Sequence, residues 1–211
     1  MNEFDLESLL TPARTTKMKA VLSQRIAWLT IVLDDVFDPH NISAVLRSCE
    51  AFGIQDVHVI ESVEIFVTNP EVSHGTEKWL TIHHWPDYES CFTYLRSQYF
   101  VIYSTGFSET ALSLFDVPVT KPLAIVFGNE KRGVDCVLKD RCDGEIMIPM
   151  SGFVQSLNIS VAAAVTIATL GQSIHTHIGE QALLPLDRRN RIYTEWLERQ
   201  VHESRRNPGQ Q

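Results

Sequence analysis

The stretch "IPMSGFVQSLNISVAAAV", residues 148–165, carries two signals that pull in different directions. Pro149 and Gly152 break a regular path directly after the apolar run "EIMIPM" (145–150), and Ala162–Ala164 with their apolar neighbours then read as buried helix. Between them stand Gln155, Ser156, Asn158 and Ser160, more polar side chains than one helix start can use. Ser156 is expected to cap the helix, which leaves Asn158 and Ser160 on its first turn, free to face a ligand. An account in which all of these groups bond neighbouring loops fits the residues equally well.

Outward from that stretch, apolar runs alternate with helical periods. Strands are expected at "LTIVL" (29–33), "DVHVIE" (56–61), "WLTIHHW" (79–85), "YFVIYST" (99–105), "PLAIVFG" (122–128) and "EIMIPM" (145–150). Helices are expected over 12–26, with Thr11 as cap and Pro12 in the first turn, and from Asn41 as cap to a stop at Gly53. Further helices fall over 88–98, from the opening stretch to about residue 171, and near 187–204. His175 and His177 are placed after the fourth of these helices. This order is that of an α/β chain with a parallel sheet. It reads as one domain over 1–211, with a core at about 27–176 flanked by the first and last helices. The tail "RRNPGQQ" (205–211) is expected to fray.

The charge pattern narrows the classes of partner. The net charge is −8, against the basic footprint of a general polyanion binder. Residues 34–174 hold 8 basic and 18 acidic side chains, whereas each end carries a small positive excess. Contacts to nucleic acid phosphates would therefore come largely from the ends, although solvated helix faces explain the same charges. No apolar stretch reaches membrane-spanning length, and the acidic "MNEFDLESLL" does not resemble a secretory signal. Four scattered cysteines, with no C-x-x-C pair, suit reduced thiols in the cytoplasm. The histidines give no metal site: alternation along a strand sends His83 and His84 to opposite faces, and His175 and His177 lack further ligands.

Two more segments carry candidate chemistry. In "DPHNISAVLRSCEAFG", Asn41 stands where a helix begins and Arg47 lies on the same helix, a mouth that suits a phosphate. A capping Asn and a surface Arg account for it too. In "IVFGNEKRGV", a strand runs into Gly128, Asn129, Glu130 and Gly133, the place where ligands of open α/β sheets bind. A plain turn fits that segment as well.

Together, "NISAVLRSCEAFGI", "IVFGNEKRGV" and "IPMSGFVQSLNISVAAAV" resemble, in order, the three motifs of the SpoU RNA 2′-O-methyltransferase family of the SPOUT superfamily. The likeness runs from about residue 12 to 175 and is strongest to the tRNA guanosine-2′-O-methyltransferase, or TrmH-type, branch. It implies a parallel-sheet α/β fold with a C-terminal deep trefoil knot and flanking helices, a homodimer, and S-adenosylmethionine as cofactor. The matching cofactor positions are Thr105, Gly128, Ile148, Met150 and Leu157. The matching catalytic positions are Asn41, Arg47, Glu130, Ser156 and Asn158, with Arg47 at a phosphate beside the reacting 2′-hydroxyl. Arg14 and Lys17 correspond to the basic region used for tRNA contact, and no metal is implied. The expected reaction is methylation of a guanosine in the tRNA D-loop. An rRNA substrate, or a non-catalytic knotted RNA-binding protein, are the rival readings.

Overall fold

The computed structural model describes residues 6–62, 66–73 and 75–206, with the backbone alone at Pro70, Arg205 and Arg206. Most of the tail expected to fray, 207–211, lies outside the described residues. The described residues form two compact units, one of 6–26 with 183–206 and one within Ala27–Ala182.

The larger unit is built on a seven-stranded sheet, β1 (Leu29–Asp34), β2 (Asp56–Ile60), β3 (Thr81–Trp85), β4 (Val101–Thr105), β5 (Leu112–Ser113), β6 (Leu123–Phe127) and β7 (Gly144–Met147). The strand order is β3-β2-β1-β6-β4-β7-β5, and every pairing is parallel. Every residue of β1, β2 and β6 is buried, as a parallel sheet covered on both faces requires. Val32, Ile60, Ile102, Ala124 and Val126 join Phe92 and Leu95 in one apolar cluster. The sheet order reverses direction between β1 and β6, so the loops after β1, β6, β4 and β7 leave adjacent strands at the same edge.

In the smaller unit, α1 (Pro12–Ser23) packs on the last helix, Leu186–Arg206, through Met18, Leu22, Tyr193, Trp196 and Leu197. Glu7 ties the two together, accepting from Lys19 Nζ at 2.6 Å and from the Tyr193 hydroxyl at 2.7 Å. The first helix stops at Ser23 instead of running to 26, because Ile26 enters a bridge with Leu183.

Other boundaries also differ from the sequence reading, each for a local reason. The helix α2 (Pro39–Ala51) begins before Asn41: Pro39 takes the first helical position, and Asp38 caps it by accepting from the His40 N–H at 2.9 Å. It closes as expected on Gly53, at φ 80°, with the Ile54 N–H reaching back to the Cys49 carbonyl. A short helix α3 (Pro70–Ser73) is followed by a 3-10 turn, Thr76–Trp79, whose last residue takes the first position of the expected third strand, so β3 begins at Thr81. The helix α4 (Tyr88–Ser97) closes on Tyr99 in the left-handed region, φ 65°, which delays β4 to Val101. After the one-turn α5 (Cys136–Lys139), the apolar α6 (Ile159–His177) runs through Gly171 and carries His175 and His177 in its last turn, not after it. The last helix, Leu186–Arg206 in the smaller unit, is α7.

Candidate functional site

The loops at the C-terminal edge of β1, β6, β4 and β7 enclose a cavity of about 680 Å³. Its wall takes Phe37, Asp38 and Asn41 from the β1 exit and the head of α2, 127–134 from the second motif, Thr105, Gly106 and Phe107 from the end of β4 and its loop, and 146–148, Met150 and 156–159 from β7 and the third motif.

The first wall begins with strain. Asp35 adopts φ 48°, a conformation costly for a residue with a Cβ, and its carbonyl accepts from Asn129 Nδ2 at 2.8 Å. Its carboxylate accepts from Arg132 Nη2 at 3.3 Å, so one residue ties the β1 exit to the loop after β6. Asp34, one position earlier, is 6% exposed. Burial pushes its carboxyl up to about 6, with the Asp135 N–H opposing that rise and the neighbouring Asp35 charge adding to it.

The second wall is a tight ring. The Gly133 N–H donates to the Asn129 carbonyl at 2.8 Å, and Gly133 itself has φ 70°. A Cβ at Gly128 would lie 2.1 Å from the Val134 nitrogen, so only glycine lets the returning loop close on the strand exit. Glu130 points from this ring to the first wall, where its carboxylate accepts from the Phe37 and Asp38 N–H groups at 3.4 and 3.3 Å. Lys131 sits over the Phe37 ring, 5.0 Å from its centre.

The third wall overturns the expected cap. Asn158, not Ser156, closes α6: its Oδ1 accepts from the Ser160 N–H at 2.8 Å and from the Ser160 hydroxyl at 2.6 Å. Its Nδ2 remains free to donate to Asn41 Oδ1 at 3.0 Å, and Asn41 Nδ2 donates to Glu130 Oε1 at 3.1 Å. A continuous line of amides and a carboxylate thus joins all three motifs. Asn41 can serve it because Asp38 already caps α2, leaving Asn41 inside the first turn with its side chain available. Ser156 lines the cavity but is exposed, with no part in the cap.

Thr105, Gly128, Ile148, Met150 and Leu157 all line the same cavity, as do Asn41, Glu130, Ser156 and Asn158. Arg47 does not. It lies exposed on α2, six residues beyond Asn41, and donates from Nη1 to the Val72 carbonyl at 3.4 Å. In the smaller unit, Arg14 is engaged by Gln200 Oε1 through Nε at 3.0 Å and Nη2 at 2.5 Å, while Lys17 is exposed. The sequence reading missed Phe37, Asp38, Phe107 and Lys139 as wall residues. Only Asp38 had a sequence signal, the Asp-Pro pair that opens a helix.

The remaining candidates resolve as structure. His83 bonds Asp56 at 2.9 Å and stacks on His58 with ring centres 4.5 Å apart, while His84 bonds Glu61. Among the described residues no cluster of three potential metal ligands occurs. Burial pushes the thiols of Cys91 and Cys142 up, far from reactive thiolates.

Known proteins share the family and the fold of this chain. Residues 28–168 match the SpoU rRNA Methylase family. A tRNA (guanosine(18)-2′-O)-methyltransferase of Thermus thermophilus is 37% identical over 188 residues, 89% of this chain and 97% of the relative. The crystal structure of the A. aeolicus TrmH/SpoU tRNA modifying enzyme superposes with a TM-score of 0.82 at 27% identity, covering 90% of this chain and 97% of that one. The SpoU methyltransferase AviRb of Streptomyces viridochromogenes, solved in complex with the cofactor AdoMet, shares the fold: TM-score 0.65, 23% identity, 72% of this chain and 62% of that one.

Proposed function

The chain belongs to the SpoU rRNA Methylase family, and on that premise we propose that it methylates the ribose 2′-hydroxyl of a tRNA guanosine with S-adenosylmethionine. Guanosine 18, in the D-loop, is the acceptor by likeness to the Thermus thermophilus relative. The observation that carries this reading is the Asn158–Asn41–Glu130 line, which sets groups from three distant segments around one cavity.

The cavity suits the cofactor. Its volume of about 680 Å³ lies within the range of small-molecule sites, and Phe107, Ile148, Met150 and Leu157 give it apolar walls. At its edge, the fully buried Thr166 holds a hydroxyl with no hydrogen-bond partner among the described residues, a group that a bound ligand would satisfy. Bound there, the cofactor supplies an electrophilic methyl on a sulfonium, so the protein's tasks are to orient the acceptor oxygen and ease the loss of its proton. Asn41 and Asn158, held by one another, orient the ribose at the cavity mouth. Glu130 fixes both, and its acceptance from the Phe37 and Asp38 N–H groups keeps the first wall in place. Arg47, exposed and permanently charged, takes the phosphate beside the target nucleotide and stabilises the negative charge that develops as the 2′-hydroxyl gives up its proton to phosphate or water.

The same reading includes the deep trefoil knot, a homodimer and a cytoplasmic setting. Support for the knot comes from the strand order, in which β4 lies between the later strands β6 and β7. Support for the dimer comes from apolar side chains left in solvent by the third motif, Val154 at 63% exposure and Val161 at 48%. Lys17 contacts tRNA phosphate, and Arg14 does so by exchanging Gln200 for it.

Transfer of labelled methyl from S-adenosylmethionine to unfractionated tRNA and to rRNA tests the reading. Label in tRNA, mapped to a guanosine 2′-oxygen, is the expected result; label confined to rRNA moves the substrate, and label in neither refutes the activity. Arg47→Ala is expected to slow turnover at least ~100-fold with cofactor affinity unchanged.

A further inference from the structure

Behind the wall formed by the β4 loop lies an ion pair that belongs to none of the three motifs. Glu145 stands on β7, one residue before the buried Ile146, and its carboxylate crosses beneath the β4 loop. It accepts from the Ser108 N–H at 2.6 Å through Oε1 and pairs with Lys139 Nζ at 3.3 Å through Oε2. Gly106 rests on it so closely that a Cβ there would fall 2.3 Å from the carboxyl carbon. The Gly106 N–H also donates to the Ile146 carbonyl at 3.0 Å, so this glycine is held from two sides. Lys139, at the end of α5, lines the cavity, as do Thr105, Gly106 and Phe107.

We propose that Glu145 is a positioning residue for the cofactor: through Ser108, Gly106 and Lys139 it sets the β4-loop wall against which the cofactor is bound. The role rests on the methyltransferase reading above. The carboxylate is built to stay charged. Its burial raises the pKa, but the Ser108 N–H and the Lys139 ammonium outweigh that effect and hold it below its ordinary value. Glu145 itself is not a wall residue, so its effect passes through the loop and the lysine. Removing it frees the Ser108 N–H, unseats Gly106 and leaves Lys139 without its partner.

The test measures S-adenosylhomocysteine binding by calorimetry alongside KM for S-adenosylmethionine, kcat and tRNA affinity. Glu145→Ala is expected to weaken cofactor binding about tenfold, with tRNA affinity and saturated turnover near wild type. Glu145→Gln keeps an acceptor for Ser108 and loses only the charge, so about threefold is expected. Gly106→Ala should displace the flexible carboxylate end of Glu145 and so weaken cofactor binding about tenfold, as Glu145→Ala does, and Gly106→Ala/Glu145→Ala should fall no further than Glu145→Ala, since the obstructing carboxylate is gone. Should Glu145→Ala fold poorly, Glu145→Gln carries the comparison. Wild-type affinity in the Glu145 variants, or equal loss from Gly106→Ala in both backgrounds, overturns the positioning role alone. A wild-type chain that binds no cofactor removes the functional reading itself, and this role with it.

Discussion

The tripeptide Asn-Ile-Ser occurs twice at the mouth of the cavity, at 41–43 and at 158–160, and does a different job each time. At the head of α6, Asn158 is the cap. At the head of α2, Asn41 sits three residues inside the cap, because Asp38 and Pro39 start the helix earlier. The same three residues therefore present their amides from positions one and four of a helix start. That offset is what lets them meet: a cap whose Oδ1 is occupied by Ser160 still has an Nδ2 to give, and a non-capping Asn41 has an Oδ1 to receive it. Two equivalent caps would each have spent their oxygen on their own helix.

Substitutions that separate capping from linking should break this symmetry first. Asn158→Ala removes both roles, and turnover is expected to fall ~100-fold while stability drops about 1–2 kcal/mol in denaturant titration. Asn158→Ser keeps a cap and loses the donor to Asn41; stability should then change by no more than ~0.5 kcal/mol while most of the kinetic loss remains. If Asn158→Ser turned over like wild type, the link would have no part in the chemistry. Asn41→Ala should match the kinetic loss of Asn158→Ala, and the double variant should be little worse than either, since both cut one line of hydrogen bonds. Additive losses would show two independent sites.

The two mouths also differ in titration. Residues 148–160 contain no ionisable side chain, whereas the first mouth follows Asp34, raised from 3.8 to about 6. The folded state thus binds a proton more tightly than the unfolded state does. Its contribution to stability is complete below pH ~4 and is lost as pH rises through ~6, to the extent of about 2–3 kcal/mol. Asp34→Asn should flatten that decline in melts at pH 4, 6 and 8; an unchanged slope would remove Asp34 as its source. Smallest of all, Asp38→Asn keeps a good cap and should shift stability by only a few tenths of a kcal/mol (about 0.3), read from the same melts.

Much of this architecture was legible in the residues, and each misreading has its own local cause. The central strands β1, β2 and β6 announced themselves as apolar runs, since strands buried on both faces have no polar alternation to hide them. The two-residue β5 and the one-turn α3 and α5 carry too few residues for any period to show. The two cap assignments erred in opposite directions: Asn41 lies three residues inside the helix that Asp38 caps, where Pro39 was the better marker, and Ser156 lies two residues ahead of the true cap, Asn158. Asn41, Glu130, Ser156 and Asn158 line one cavity and Arg47 stands outside it, but the bonds joining Asn41 to Glu130 and to Asn158 span 89 and 117 positions, and no local rule pairs residues across that distance. Glu145 and Lys139 escaped notice because a surface-like Glu and Lys look alike in sequence whether or not they meet.

The two glycines of the second-motif loop should tell different stories in a library that randomises each codon. At 128 a Cβ would collide with backbone that has nowhere to go, so selection for a working chain should return a single amino acid. At 133 open space surrounds the absent side chain and only the left-handed twist of φ 70° resists, so asparagine and aspartate should survive beside glycine. Survivor counts at the two codons would then report separately on crowding and on backbone twist within one six-residue turn.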